Sequence, residues 1–199
     1  TTLWARREKL ADEINKLREN REYLPGNKLS ENISVSTNLG IVVENADIII
    51  IAVPSKAMRK IVKMIIPYIK GETIIASASK GFELGSTLRM SQVIKEELGS
   101  AGSNVVVISG PSHAEEVIQN LPTAVVAASE DEETAKTVQK ALINENFRVY
   151  TNSDVIGVEL GGALKNIIAL CAGISDGLGY GDNSRAALMA RGIAEITRL

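Results

Sequence analysis

A chain of 199 residues with a single cysteine, Cys171, cannot carry an intramolecular disulfide framework, and that scarcity fits a reducing, cytoplasmic setting. The only histidine, His113, has no partners at metal-ligand spacing, so no metal site is expected. Charge of one sign is also lacking. The formal net charge is −2 with both signs interspersed, which excludes a nucleic-acid or polyanion binder. No signal peptide opens the chain, and no stable membrane insertion is expected. The longest apolar stretch, near residues 154 to 175, is interrupted by Asp154, Glu159 and Lys165. The sequence also has no G-x-G-x-x-G turn. What it does have is 45 % apolar residues, enough for a sizeable core in one domain or one and a half.

Strand and helix patterns alternate over the first 150 residues, the signature of βαβ architecture. Thr1 to Trp4 reads as the tail of a strand, followed by Ala5-Arg6-Arg7 and an amphipathic helix to about Glu19. Ile33 to Ser36 is a short strand, and Thr37 caps a short helix. Asp47 to Val53 is a continuous apolar run, expected to be a parallel strand buried on both faces. A helix opening at Ser55 follows, and then the strand Thr73 to Ser77. That strand delivers Ser79-Lys80-Gly81 at its carboxyl end, where ligands of open α/β sheets bind. Ser86 opens the next helix. After it, the strand Asn104 to Ser109 runs into the glycine turn Gly110-Pro111-Ser112 and directly into a helix. Such a turn leaves N–H groups free for an anion or a carbonyl oxygen. His113 beside it is read as structural or solvated. Leu121 to Ala128 and Phe147 to Tyr150 are the last strands. Ser129-Glu130-Asp131-Glu132 between them reads as a capping box.

The chain is organised around Asp154 to Ser175, one long helix apolar almost all round and therefore expected to be buried. Gly157, Gly161 and Gly162 stand in its first half. Each costs roughly 1 kcal/mol relative to alanine, so close approach by another element or a ligand should offset it. Lys165 and Asn166 follow. A buried lysine is pushed toward the range where it can pass protons. Cys171, on the same helix, reads as a small core hydrophobe. Gly177-Leu178-Gly179-Tyr180-Gly181 follows a helix and is not a dinucleotide fingerprint; a final helix starts at Asp182 or Asn183.

Gly157 to Asn166, Gly-Val-Glu-Leu-Gly-Gly-Ala-Leu-Lys-Asn, resembles the signature of bacterial NAD(P)-dependent glycerol-3-phosphate dehydrogenases. So do Ser79-Lys80-Gly81, Ser109-Gly110-Pro111-Ser112, Leu121-Pro122-Thr123-Ala124 and Phe147-Arg148-Val149-Tyr150, in the family's order and spacing. The resemblance covers essentially the whole chain and is most specific from Ser109 to Arg191. It implies a doubly wound Rossmann-type sheet over residues 1–152, and the start of an all-α substrate domain over residues 153–199. It implies reversible reduction of dihydroxyacetone phosphate to sn-glycerol 3-phosphate by NADPH or NADH, feeding glycerophospholipid synthesis. By that resemblance Lys165 is the catalytic acid/base, and Lys80, Gly110, Ser112 and Asn166 contact the small-molecule substrate. Arg6, Arg7, Lys80 and Ala114 would contact the cofactor. The end of the second strand in such a sheet faces the adenosine ribose, and arginine there suits a ribose phosphate. A homodimer is compatible with this reading.

The first strand, glycine-rich turn and first helix of such a sheet have no counterpart in the sequence, nor does the region that in the family binds the substrate phosphate. A fragment of a longer enzyme, poorly active alone, is therefore expected, with a gap in the sheet where the first strand belongs. Two alternatives stand beside it: another lysine-dependent hydroxy-acid dehydrogenase of the same superfamily, and a non-catalytic binding or assembly module.

Overall fold

The computed structural model describes residues 1–99 and 104–199. It contains two sheets. Strands β1 (Thr2–Trp4) and β2 (Ser34–Ser36) pair in parallel as a small unit, with helix α1 (Glu8–Leu17) crossing over between them. Ala5, Ala11, Ile14 and Val35 form the core of this unit. Short helix α2 (Leu39–Val43) leads into a five-stranded sheet. Its strands are β3 (Ile48–Ile51), β4 (Ile74–Ser77), β5 (Val105–Ser109), β6 (Thr123–Ala128) and β7 (Phe147–Asn152), side by side in chain order. All neighbours are parallel except β5 and β6, which run antiparallel because the chain folds back through the short helix α5 (Ala114–Ile118).

Helices cover both faces of the larger sheet, as in doubly wound folds. On one side α3 (Met58–Ile65) and α4 (Met90–Leu98) bury Met58, Val62, Ile65, Val93 and Ile94 against Ile51, Ile75 and Val105. On the other, α6 (Glu132–Leu142) buries Val138 against Ala76, Val106, Val125 and Val149. Residues 74, 75, 76 and 77 of β4 are all buried, the first three of them apolar, as in a strand covered on both faces.

Among the described residues β1 hydrogen-bonds only to β2 in its sheet, and β3 only to β4. The expected gap between the two sheets is present. It also corrects one expectation. The run from Asp47 to Val53 is not covered on both faces: Ile51 is 3 % exposed but Ile50 is 47 % exposed, because β3 is an edge strand of its sheet.

At three helix starts the hydroxyl expected to cap the helix does not do so. Trp4 Nε1 donates to the Thr37 carbonyl, and Asn38 Oδ1 caps α2 by accepting from Gly40 N and Ile41 N. Ser86 Oγ donates to Glu83 and accepts from Leu88 N, a local turn that delays α4 until Met90. Ser129 Oγ donates to the Val105 carbonyl, and Asp131 caps α6 through Thr134 N. The Gly110 turn is likewise followed by Pro111, Ser112 and His113 before α5 begins.

Helix α7 (Val155–Gly177) is capped by Asp154, whose Oδ1 accepts from Gly157 N at 2.8 Å. Its partner is α8 (Gly181–Ile196), where Gly192 lets Ile168 approach. The expectation that α7 is buried is overturned. Its buried residues are Val155 and Ser175, while Ile156, Ile167, Leu170 and Ile174 are exposed and Cys171 is half-buried. Among the described residues α8 and the ends of β5 and β6 supply most of its cover, with α4 touching it at Glu159. By length and composition α7 is the helix that passes for a membrane span among the described residues.

Candidate active site

Strands β3, β4 and β5 are parallel, so their carboxyl ends share one edge of the sheet. Ser79 knits that edge: its Oγ accepts from Val53 N at 3.0 Å and donates to the Val53 carbonyl at 2.5 Å. The next residue, Lys80, reaches across to the end of β5, where its ammonium donates to the Gly110 carbonyl at 2.9 Å. Gly110 has φ +150°, and a Cβ there would lie 2.7 Å from the Ala124 carbonyl oxygen on β6. Only glycine fits so close a backbone approach.

Helix α7 is laid over this edge. At Gly162 an added Cβ would stand 2.7 Å from Ser109 Oγ and 3.8 Å from Lys80 Cγ, so the helix backbone rests on β5 and on the lysine stem. That contact accounts for one of the three glycines. Gly157 instead makes room for the Asp154 cap, and Gly161 faces open space, against the expectation that each is closely approached. Burial, and then the neighbouring Lys165 ammonium, hold Lys80 below the ordinary lysine value. Lys80 thus bonds the Gly110 carbonyl and feels the charge of Lys165.

Lys165 itself is exposed, so the burial foreseen for it is not found; Lys80 is exposed as well, with its ammonium held on the Gly110 carbonyl. Asn166 is exposed beside it. Ser112 and Ala114 are exposed just past the turn, with Ser112 Oγ donating weakly to the Gly110 carbonyl at 3.4 Å. Arg6 and Arg7 do not join this cluster. They line a separate cavity of about 330 Å³ at the end of β1, with Trp4, Leu10, Ile14 and Tyr23. There the Arg7 guanidinium donates to Glu22 at 2.5 Å and to the Tyr23 hydroxyl at 3.3 Å. A larger cavity, about 920 Å³, lies at the opposite edge of the sheet among Asp47, Glu72, Asn104 and Asp131. No group of three or more His, Cys, Asp or Glu able to hold a metal occurs among the described residues.

Sequence reasoning missed Glu159, which touches the same cluster. Its side chain is 7 % exposed, and it takes the Arg89 guanidinium at 2.5 Å, Ser91 N at 2.8 Å and Ser91 Oγ at 2.6 Å. The available signal was a carboxylate inside an apolar helix, which is buried only when paired.

An open sheet wound by helices on both faces, with a lysine pair at its carboxyl edge and a helical annex laid across it, defines a Rossmann-type α/β fold. The family model for the NAD-dependent glycerol-3-phosphate dehydrogenase N-terminus matches residues 1–135, and the corresponding C-terminus model matches residues 154–199. The chain belongs to that family. It is 53 % identical over 198 residues to a glycerol-3-phosphate dehydrogenase [NAD(P)+] of Bacillus subtilis, covering 99 % of this chain and 57 % of the relative. The crystal structure of glycerol-3-phosphate dehydrogenase from Coxiella burnetii superposes with a TM-score of 0.86 at 42 % identity, covering 99 % of this chain and 60 % of that one. The Plasmodium falciparum enzyme gives a TM-score of 0.89 at 28 % identity, over 98 % of this chain and 55 % of that one. The chain therefore spans somewhat more than half the length of the relatives it matches.

Proposed function

We propose that the protein acts as an NAD(P)H-dependent glycerol-3-phosphate dehydrogenase, interconverting dihydroxyacetone phosphate and sn-glycerol 3-phosphate and so feeding glycerophospholipid synthesis. The observation that carries this reading is the meeting of Lys80, the Gly110 turn and Lys165 at the carboxyl edge of the sheet. Two cations there attract an anionic phosphate ester and favour charge that develops on a reacting oxygen. In reduction, Lys165 Nζ gives a proton to the carbonyl oxygen as it becomes an alkoxide, and takes it back in the reverse direction. Lys80, whose ammonium is already bonded to the Gly110 carbonyl, adds a second positive charge that stabilises the developing negative charge. Gly110 and Ser112 offer polar groups to the substrate from the turn, and Asn166 stands beside Lys165 to orient a polar group.

The residues present fit a dinucleotide at its adenosine end. The cavity at the end of β1 is walled by Trp4 and Tyr23 and carries two guanidiniums, Arg6 and Arg7, suited to a ribose phosphate. By the same reading Ala114 and Lys80 would contact the other end of the cofactor. The bound nicotinamide would supply the hydride. The described residues hold no glycine-rich turn for the pyrophosphate. We therefore assign binding to the ends only, with residues 1–152 as the nucleotide domain and residues 153–199 as the beginning of the substrate domain. The same reading places the protein in the cytoplasm, with a small-molecule substrate and no nucleic-acid partner. It also keeps α7 out of the membrane, because Glu159 is tied to α4 and Lys165 faces the cluster. A homodimer is compatible with it.

The test is oxidation of NADPH and NADH by the full-length protein with dihydroxyacetone phosphate, alongside Lys165→Ala and Lys165→Met. Loss of a general acid costs about 10²–10⁴-fold in rate. Both variants are expected to lose at least about two orders of magnitude in turnover with cofactor binding retained. Near-normal turnover in either variant would remove Lys165 from the mechanism.

A further inference from the structure

We infer that Glu159 is the positioning residue of this site: by capping α4 from α7 it fixes where Lys165 stands over Lys80 and the Gly110 turn. The inference rests on the reading of Lys165 as the proton donor. It starts from an irregularity in α4. The residue before that helix is Arg89, whose side chain has no acceptor with which to cap it. The open N–H groups are satisfied otherwise. Arg89 N donates to Gln92 Oε1 at 3.0 Å, and Ser91 N donates to Glu159 Oε1 at 2.8 Å. A carboxylate at a helix N-terminus also meets the positive end of the helix dipole. Glu159 Oε2 accepts from Ser91 Oγ at 2.6 Å and from Arg89 Nη1 at 2.5 Å. Both carboxylate oxygens are committed and the side chain is 7 % exposed, so Glu159 is an anchor and not itself a proton carrier.

The spacing along α7 makes that anchor matter. Glu159, Gly162 and Lys165 succeed one another at intervals of three, about 4.5 Å apart along the axis, and lie within one broad face. Glu159 is fastened to α4. Gly162 rests on Ser109 and on the stem of Lys80, with no side chain to hold it off. Lys165 comes next, on the exposed part of the helix, where the described chain provides no second fastening for its side chain. Against the sheet the helix is held by this one polar latch, by the backbone contact at Gly162 and by Val155 and Val158 packed on Val107 and Ala128, so the latch is its one charged fastening to α4. Releasing the latch lets α7 roll or tilt about Gly162, and Lys165 moves with it. A misplacement of about 1 Å at a reacting group costs on the order of 10²-fold in rate.

The experiment uses the full-length enzyme and four variants: Glu159→Gln, Arg89→Met, their double variant, and Lys165→Met as the reference for lost chemistry. Turnover, KM for each substrate, the primary isotope effect with 4-deuterated reduced cofactor, and melting temperature are measured. Glu159→Gln is expected to lower kcat by about 10- to 100-fold with a raised isotope effect and little change in cofactor KM. The double variant should fall no further than Glu159→Gln alone, because both residues act through one latch. A merely structural role would lower the melting temperature while leaving kcat per folded site and the isotope effect at the parent values. That result, with Lys165→Met inactive in the same assay, overturns the inference. Full turnover by Lys165→Met would instead overturn the reading beneath it, and the inference with it. Should Glu159→Gln melt below the assay temperature, Ser91→Ala carries the test, since it removes only one hydroxyl. A lowered kcat with a raised isotope effect supports the latch, and parent values of both refute it.

Discussion

Arg59 and Arg89 in the five-stranded unit and Arg7 in the β1–β2 unit are held in opposite ways. Arg59, on α3, is 27 % exposed at its side chain and bonds Glu83 through two nitrogens, Nε at 2.7 Å and Nη2 at 2.8 Å, with Glu96 and Glu97 completing the ring. Arg89 is 17 % exposed and locked between Ser91 and Glu159. Arg7, at the end of β1, is 47 % exposed and leans on the equally exposed Glu22. Covered, multiply bonded arginines fix the frame, since removing one partner strands the others. An exposed pair is worth little to stability. It costs correspondingly little to open, so its cation remains free to meet a ligand. Arg59 and Arg89 belong to the scaffold, whereas Arg7 stays exchangeable.

The sharpest way to break this contrast is through the cores beneath the arginines. Ile75, 2 % exposed between β3 and β5, is expected to cost about 2–5 kcal/mol on Ile75→Ala. Leu3, 40 % exposed on β1, should cost under about 1 kcal/mol on Leu3→Ala. Urea unfolding of the two variants measures both. Equal losses would mean that the small unit is as firmly built as the large one.

Next in size is the acid response of the Arg59 cluster. The Arg59 guanidinium and the Ser86 hydroxyl hold the Glu83 carboxyl down at about 2, below its ordinary value of 4.5. A depressed carboxylate stabilises the fold fully above the ordinary value, and that contribution is lost as pH falls toward the folded value. The parent should therefore lose stability progressively between pH 4.5 and about 2. Arg59→Met should be less stable than the parent at pH 7, with the difference shrinking across that window. Urea midpoints at pH 7, 4 and 2.5 check it, and a difference that stays constant would show that Glu83 does not report on Arg59.

What the sequence made legible follows from which interactions are local. The alternation of strands and helices, the delivery of Lys80 at the end of a strand and the start of the long helix at Asp154 are short-range, and all are found. The helix starts at Thr37, Ser86 and Ser129 were misplaced: Asn38 caps in place of Thr37, and the hydroxyls of Ser86 and Ser129 are engaged in a local turn and by a distant carbonyl. The burial of α7 was misjudged because apolar composition says that a helix seeks cover, not what the chain supplies to cover it. Glu159 was invisible as a site residue. Its partners, Arg89 and Ser91, lie about seventy residues earlier, and nothing local pairs them. The Lys80–Lys165 meeting was legible only through the family resemblance, since no spacing rule joins residues 85 positions apart.

A smaller effect sharpens the contrast at Arg7. If its exposed pair with Glu22 is exchangeable, Arg7→Ala in the full-length enzyme should weaken the phosphorylated cofactor by on the order of tenfold, a charged hydrogen bond's worth. The unphosphorylated cofactor should bind nearly as before. Melting should barely move, because exposed pairs contribute about 0–1 kcal/mol. Equilibrium binding of NADPH and NADH by fluorescence reads the ratio. An unchanged ratio would show that Arg7 serves Glu22 and Tyr23 alone.

The smallest effect separates two adjacent glycines on α7. Gly161 has nothing within 4 Å of an added Cβ, so Gly161→Ala should gain up to about 1 kcal/mol of helix stability. Gly162→Ala has the same intrinsic gain but sets its Cβ 2.7 Å from Ser109 Oγ, so Ser109 must rotate or α7 must lift. The gain should vanish or turn into a loss. Ser109→Ala removes that oxygen and leaves the Ser109 Cβ at an ordinary 3.8 Å, so in this background Gly162→Ala should recover part of the gain. A double-mutant cycle by thermal melting measures the coupling directly. If Gly162→Ala stabilises as much as Gly161→Ala without help from Ser109→Ala, the helix does not rest on β5 at this point, and the geometry that brings Lys165 over Lys80 loses its support.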